Sequence, residues 1–139
     1  MITRRRSFIA AGGAALLGLA TPARAAWPDR AIRFVVSFAP GTATDNLARV
    51  LAESMAADLG QPIVIDNKPG AQGSIGANLV AKAPADGHTI LVGSATTQAA
   101  AASLLKTIPY DPVRDFAPVT KLGHIAQVLV VPAESPHRD

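Results

Sequence analysis

Cysteine is absent from the 139-residue sequence, which excludes a disulfide framework, a thiol nucleophile and a thiolate metal site. Charged and aromatic residues are scarce as well: 17% of the residues are charged, and the chain has one Trp and one Tyr. Four arginines and no acid lie in residues 1–25, so residues 26–139 hold nine basic against ten acidic residues. Because residues 26–139 have no clustered positive charge, we do not expect them to bind nucleic acid. The 49% of apolar residues is typical of a folded globular chain.

The first 25 residues follow the three-part plan of a secretory signal peptide. Arg4, Arg5 and Arg6 precede an uncharged stretch over 7–23, and Ala23-Arg24-Ala25 ends the segment with small residues. We therefore expect cleavage after Ala25 and export to the periplasm. The run RRSFI over 5–9 resembles the twin-arginine pattern. The alternative is a cytosolic protein with a basic amphipathic N-terminus.

In the remaining sequence, short apolar runs alternate with segments that have helical periodicity. The β-branched run 32–38 predicts a first strand, and Pro40 and Gly41 end it. Thr44 is the predicted N-cap of a helix that Gly60 ends. The predicted buried face of that helix comprises Leu47, Val50, Leu51, Met55 and Leu59. The later predicted elements are strand 63–65, helix 74–83, strand 89–92, helix 99–106 and strands 119–122 and 128–131.

This alternation of strands and helices predicts an α/β fold with a mostly parallel sheet covered by helices. Ligands of such sheets bind beyond the carboxyl ends of the strands, at loops that lead into helices. The loops in question are 38–44, 67–74 and 93–98, and small and polar residues dominate them. Their backbone N–H groups, together with helix N-termini, suit an anion.

Catalytic and nucleotide-binding motifs are missing. No Gly-Lys-Ser/Thr follows a strand, and Gly70-x-x-Gly73-x-x-Gly76 does not have the spacing of the dinucleotide fingerprint. His88, His124 and His137 are scattered, and we interpret each as an ordinary surface or strand-edge residue. Ser74 and Ser94 lie on predicted ligand loops, where hydrogen bonding to a ligand is favoured over nucleophilic attack. We expect no metal and no cofactor.

Asp45 is the charged residue at the exit of the first predicted ligand loop. On one interpretation it only stabilises the positive end of the helix dipole, an effect of about 0.3–1 kcal/mol. On the other it faces the ligand and fixes a donor group. Spacing alone leaves both open.

Several motifs together resemble one family. The motifs are WPDRAIR from Trp27, FAPGTATD from Phe38, LGQPIVIDN from Leu59, PGAQG from Pro69, AKAPADGHTIL from Ala81 and YDPVRDFAPV from Tyr110. They are similar to the mature N-terminal part of the Bug, or TctC-type, periplasmic solute-binding receptors of the tripartite tricarboxylate transporter system. The resemblance covers residues 27–132. It implies a lobe of the type II periplasmic binding fold, no catalysis, a small carboxylate as ligand and membrane subunits of the transporter as partners.

The resemblance also implies which positions contact the ligand. In chain order these are Phe38, Gly41, Thr42, Asp45, Ala71, Gln72, Ser94, Thr96 and Thr97. The family usually has glycine where this chain has Thr42, Ala43 and Gln72. The added side chains either narrow the pocket or supply further polar contacts.

The length of the chain departs from the resemblance. Family members have two lobes, so the predicted organisation is a signal peptide over 1–25, an incomplete first lobe over 26–132 and a truncated tail over 133–139, with the second lobe absent. Two alternatives remain at this point. One is a non-functional fragment of such a receptor, and the other is a small α/β hydrolase or isomerase that uses Ser94 or Asp45.

Overall fold

The computed structural model describes residues 26–124, 130–132 and 134–135. The elements are β1 (Ile32–Val36), α1 (Ala43–Leu59), β2 (Ile63–Asn67), α2 (Ser74–Ala81), β3 (Thr89–Val92) and α3 (Ala101–Leu104). A 3₁₀ turn (Ala71–Gly73) precedes α2, and a π-helical turn (Thr96–Ala100) precedes α3. The predicted α/β class is confirmed. None of the helices in these ranges is long and apolar enough to cross a membrane.

The three strands form a parallel sheet in the order β2-β1-β3. Ile32 pairs with Ile63 and Val36 with Asn67 on one side of β1, while Val36 pairs with Val92 on the other. The central strand is buried on both faces because helices cover both. All three carboxyl ends therefore lie at one edge of the sheet.

Helix α1 covers one face of the sheet. Its buried residues Ala48 and Ala52 pack on a core that includes Ile32, Phe34 and Val36, with Leu51, Met55 and Leu59 partly buried around it. The predicted face was wrong at Leu47, which is 43% exposed, and at Val50, which is 68% exposed. The reason is geometric, because Ala48 and Ala52, four positions apart, let the helix lie close to the sheet along a narrower stripe than the bulky residues predicted.

The ends of α1 show one correction and one confirmation. The N-cap is Thr42, whose Oγ1 accepts a hydrogen bond from the Asp45 N–H at 3.4 Å, and not the predicted Thr44. Thr44 lies inside the helix because the Thr42 hydroxyl, three residues before Asp45, already accepts from the Asp45 N–H. Gly60 ends the helix with φ 65°, in the left-handed region, as predicted.

Helix α2 covers the opposite face of the sheet. Gly76 lies against Ser37, since a Cβ added to Gly76 would be 3.1 Å from the Ser37 Oγ. The helix ends at Ala81, two residues before the predicted end, and Ile75, predicted to face inward, is exposed. With Gly76 and Ala77 buried, the contact stripe runs through small residues and leaves Ile75 at its outer side.

The other predicted boundaries differ for local reasons. Strand β1 ends at Val36 rather than 38 because the Phe38 carbonyl accepts a side-chain hydrogen bond from Asn67 instead of joining the ladder. β2 extends two residues beyond the predicted 65, and the predicted helix 99–106 is the π-helical turn followed by one turn of α-helix. Residues 119–122 form no strand, and Val119 is 83% exposed. Of the predicted strand 128–131, residues 130 and 131 are exposed and in no strand, while residues 128–129 and the signal peptide over 1–25 lie outside the described residues.

Candidate ligand-binding site

The connections that leave the three strands meet at one edge of the sheet. We call them the first loop (37–42), the second loop (68–73) and the third loop (93–98). Because α1 and α2 lie on opposite faces, the chain reverses direction across the sheet between β1 and β3. In open parallel sheets this reversal point is where a crevice forms between the carboxyl ends of the strands.

The first loop is held by the carboxylate of Asp45, which is 1% exposed. One carboxylate oxygen accepts from the Gly41 N–H at 2.8 Å and from Arg49 Nε at 2.9 Å, and the other accepts from Asn67 Nδ2 at 2.8 Å. Asn67 Nδ2 also donates to the Phe38 carbonyl at 3.1 Å. The side chain of Asp45 thus connects the first loop, helix α1 and the end of β2.

These donors set the charge state of Asp45. The hydrogen bonds from Arg49, from the Gly41 N–H and from Asn67 together lower the pKa of Asp45 from 3.8 to about 2. The carboxylate is therefore ionised throughout the neutral range, and both of its oxygens accept from donors of the chain. Asp45 lies in the first turn of α1, where its charge stabilises the helix dipole, which is the first of the two interpretations from the sequence. The structure shows in addition that Asp45 anchors the first loop.

The second loop has left-handed backbone at four consecutive residues. The φ angles are 122° at Gly70, 45° at Ala71, 57° at Gln72 and 86° at Gly73. The side chains of Ala71 and Gln72 are exposed, whereas Gly73 is buried. Both predicted ligand-contacting residues of this loop are therefore exposed, and Gly73 packs against the third loop.

The third loop contains the remaining predicted ligand-contacting residues. Ser94 Oγ accepts from the Thr96 N–H at 3.2 Å, and both side chains are half-buried. Thr97 follows in the π-helical turn and is 0% exposed. Its carbonyl accepts the hydroxyl of the buried Tyr110 at 2.8 Å.

The three loops meet around Gly73. A Cβ added to Gly73 would lie 2.5 Å from Thr97 Oγ1 and 3.0 Å from Ser37 Cβ. Ser37 Oγ and Thr97 Oγ1 are both buried and have no hydrogen-bond partner. Buried hydroxyls normally have partners, so this pair beside the N-terminus of α2 is unusual.

The structure brings the predicted residues together in part. Thr97 meets the second loop at Gly73, and Gly41 and Asp45 meet within the first loop. Thr42 is used as a helix cap, and its hydroxyl donates to the Ala39 carbonyl at 2.9 Å. The Gly41 N–H, which a backbone-binding site would aim at the ligand, instead donates to Asp45.

Four residues of this region were missed from the sequence, namely Ser37, Arg49, Asn67 and Tyr110. Ser37 carried a usable signal, because it is the polar residue at the end of an otherwise apolar strand. Asn67 and Arg49 carried none, since their roles depend on the register that places Asn67 beside Val36.

His88 lies away from the edge of the sheet where the three loops meet. His88 is buried just before β3, at the opposite end of the strand, with its Nε2 3.2 Å from Asp29 Oδ1 and its ring edge-on to Trp27. The described residues contain no group of three or more side chains that could hold a metal ion.

Comparison with protein families identifies a match over most of this chain. The family model described as "Tripartite tricarboxylate transporter family receptor" matches residues 47–139. Protein BugT of Bordetella pertussis is 43% identical over 118 residues, which cover 84% of this chain and 36% of the relative. The chain spans about a third of the length of the curated relatives it matches.

Solved structures match the same fold. MatC from Rhodopseudomonas palustris with bound malate has a TM-score of 0.64 and 46% identity, covering 67% of this chain and 32% of that one. Rpa4515 of R. palustris with adipate has a TM-score of 0.60 and 43% identity, covering 62% of this chain and 29% of that one.

Proposed function

Because the chain belongs to the tripartite tricarboxylate transporter receptor family, we propose that it forms a lobe of a solute-binding receptor that captures a small carboxylate without catalysis. The observation that carries the proposal is the pair of unpartnered buried hydroxyls, Ser37 Oγ and Thr97 Oγ1, where the three loops converge. The malate of MatC and the adipate of Rpa4515 support a dicarboxylate as the ligand.

The chemistry of the crevice suits this ligand. A carboxylate accepts hydrogen bonds from hydroxyl O–H groups and is stabilised at the positive end of a helix. The Gly73 and Ser74 N–H groups already donate to the Gly70 and Ala71 carbonyls, so the unpartnered donors here are the hydroxyls of Ser37 and Thr97. The Asp45 carboxylate does not repel such an anion strongly, because Arg49 and two further donors surround it. The absence of catalysis is supported by the position of His88, which lies at the far end of β3 from Ser94 and cannot serve it as a base.

Titration of the ¹⁵N-labelled chain with malate and with adipate tests the proposal. We expect amide shifts concentrated in the three loops, with affinity in the millimolar range, since the described loops cover a ligand from one side only. Thr97→Val keeps the side-chain shape and removes the hydroxyl, so it should weaken binding about fivefold, the equivalent of one hydrogen bond of about 1 kcal/mol. The stability of the ligand-free protein should not fall, because the hydroxyl has no partner there.

Two controls accompany this titration. Thr89→Val makes the same change at the amino end of β3 and should leave the affinity unchanged. The dimethyl ester of malate lacks both charges and should produce no loop shifts. Equal binding of the diacid and its ester, or shifts that avoid all three loops, would contradict carboxylate capture at this edge.

We also propose that the chain acts in the periplasm and delivers its ligand to the membrane subunits of a tripartite transporter. Its family and the tri-arginine N-terminus followed by an uncharged stretch support this. N-terminal sequencing of the protein from a periplasmic fraction should begin at Ala26. A chain recovered intact from Met1 in the cytosol would contradict export.

A further inference from the structure

Tyr110 reaches the candidate site from outside the three loops. It lies in the segment after α3, is 6% exposed, and packs edge-to-face on Phe116 with ring centroids 5.7 Å apart. Its hydroxyl donates to the Thr97 carbonyl at 2.8 Å in a buried hydrogen bond. The phenol therefore fixes the backbone of the residue whose side chain packs against Gly73.

The backbone around Thr97 forms a π-helical turn. The Ala101 N–H donates to the Thr96 carbonyl, five residues back, so the turn is wider than an α-helix. Such π-helical turns are rare, occur mostly as single turns and are frequent at functional sites. The Tyr110 hydroxyl supplies a donor to Thr97 from 13 positions further along the chain.

The position of Thr97 in turn sets the gap between the second and third loops. Thr97 Oγ1 lies 2.5 Å from the point where Gly73 would carry a Cβ, so there is no room for a methyl group between the two residues. A shift of Thr97 by a few tenths of an ångström changes the distance from its hydroxyl to the N-terminus of α2. That distance decides whether one carboxylate can accept from the hydroxyl while lying at the positive end of α2.

We propose that Tyr110 is a positioning residue of the third loop, holding Thr97 against Gly73 so that the hydroxyl and the N-terminus of α2 act on the same carboxylate. Tyr110 itself does not touch the ligand. The effect on binding rests on the proposed carboxylate capture, whereas the effect on the position of Thr97 does not. Burial raises the pKa of the Tyr110 phenol, so the hydroxyl keeps its proton throughout the neutral range.

The test compares Tyr110→Phe with Phe116→Leu in the ¹³C,¹⁵N-labelled chain. Tyr110→Phe keeps the ring packing and removes only the hydroxyl, while Phe116→Leu removes the ring contact and keeps the hydroxyl. In the absence of ligand, Tyr110→Phe should shift the Thr97 carbonyl carbon and the amides of Gln98 and Gly73. It should also lower the affinity for malate about fivefold, because the hydrogen bond from the Thr97 hydroxyl to the carboxylate would lose its alignment.

Phe116→Leu should lower the thermal midpoint. The Thr97 and Gly73 resonances should stay in place, and the malate affinity should stay within twofold of that of the parent chain. Unmoved Thr97 and Gly73 resonances in Tyr110→Phe would overturn the positioning role, whatever the ligand does. Shifted resonances with unchanged malate affinity would overturn its link to binding. Failure of the parent chain to bind malate or adipate would count against carboxylate capture alone, because the ligand-free resonances still decide the role of Tyr110.

Discussion

Gly73→Ala is expected to lower the free energy of unfolding by about 3 kcal/mol. Two costs add at this position. An L-residue in left-handed backbone costs about 1–2 kcal/mol, and φ at Gly73 is 86°. The new methyl group would lie 2.5 Å from Thr97 Oγ1 and 3.0 Å from Ser37 Cβ, and overpacking of this kind costs about 1–3 kcal/mol. Urea denaturation of the variant and the parent chain measures the difference.

Gly41→Ala is the matched control. The φ angle is 82° at Gly41, nearly the same as at Gly73, but a Cβ added there has no atom within 4 Å. Gly41→Ala should therefore show only the backbone cost of about 1–2 kcal/mol. Equal losses in the two variants would contradict tight packing of Gly73 against Thr97 and Ser37.

Asp45→Asn is expected to lower the thermal midpoint on the order of 10 °C, because it leaves Arg49 without its ion pair and replaces a carboxylate oxygen by an amide donor that faces donors. The Gly41 N–H and the Asn67 amide compete for the single remaining oxygen. Asp58→Asn is the control on the same helix, since Asp58 is exposed and makes no hydrogen bond or ion pair with the part of the chain that the structure describes. That variant should keep the parent midpoint within about 2 °C.

The same substitution should change the acid response of the chain. The pKa of Asp45 is lowered in the folded state, so its stabilising contribution is complete above pH 4 and is lost as the pH falls towards 2. Hydrogen bonds lower the pKa of Asp86 and of Asp111 as well, so the parent chain loses stability over this range through several groups. Thermal midpoints measured from pH 6 to pH 2 should fall less steeply for Asp45→Asn. Parallel curves for the variant and the parent would show that Asp45 is not anchored as described.

Local patterns predicted the first half of the fold well. The apolar β-branched residues of β1 and the stop at Gly60 depend on neighbours in sequence, and both are present. Val119–Leu122 has the same β-branched character, but a strand also needs a partner strand, which sequence composition does not supply. The bulky residues Leu47 and Val50 misled for a related reason, since alanines were the contact residues and hydrophobicity alone ranks them lower.

The candidate site was predicted at the level of loops and not of contacts. Parallel strands place their carboxyl ends at one edge, so the three loops could be found from the order of elements. The contact between Gly73 and Thr97 depends on how α2 crosses the sheet, and the bond from Tyr110 depends on the path of the chain after α3. Both are properties of the packed molecule, and neither has a periodic signal in the sequence.

In the second loop, two residues that tolerate substitution stand directly before one that does not. Its left-handed backbone directs the side chains of Ala71 and Gln72 into solvent, whereas the next residue, Gly73, has no room for even a methyl group. Substitutions at 71 and 72 can therefore change the size and polarity of the crevice mouth without disturbing the packing beneath it. Under the proposed carboxylate capture, ligand preference could then change through residues 71 and 72, because these exposed residues are not the ones that hold the loops together.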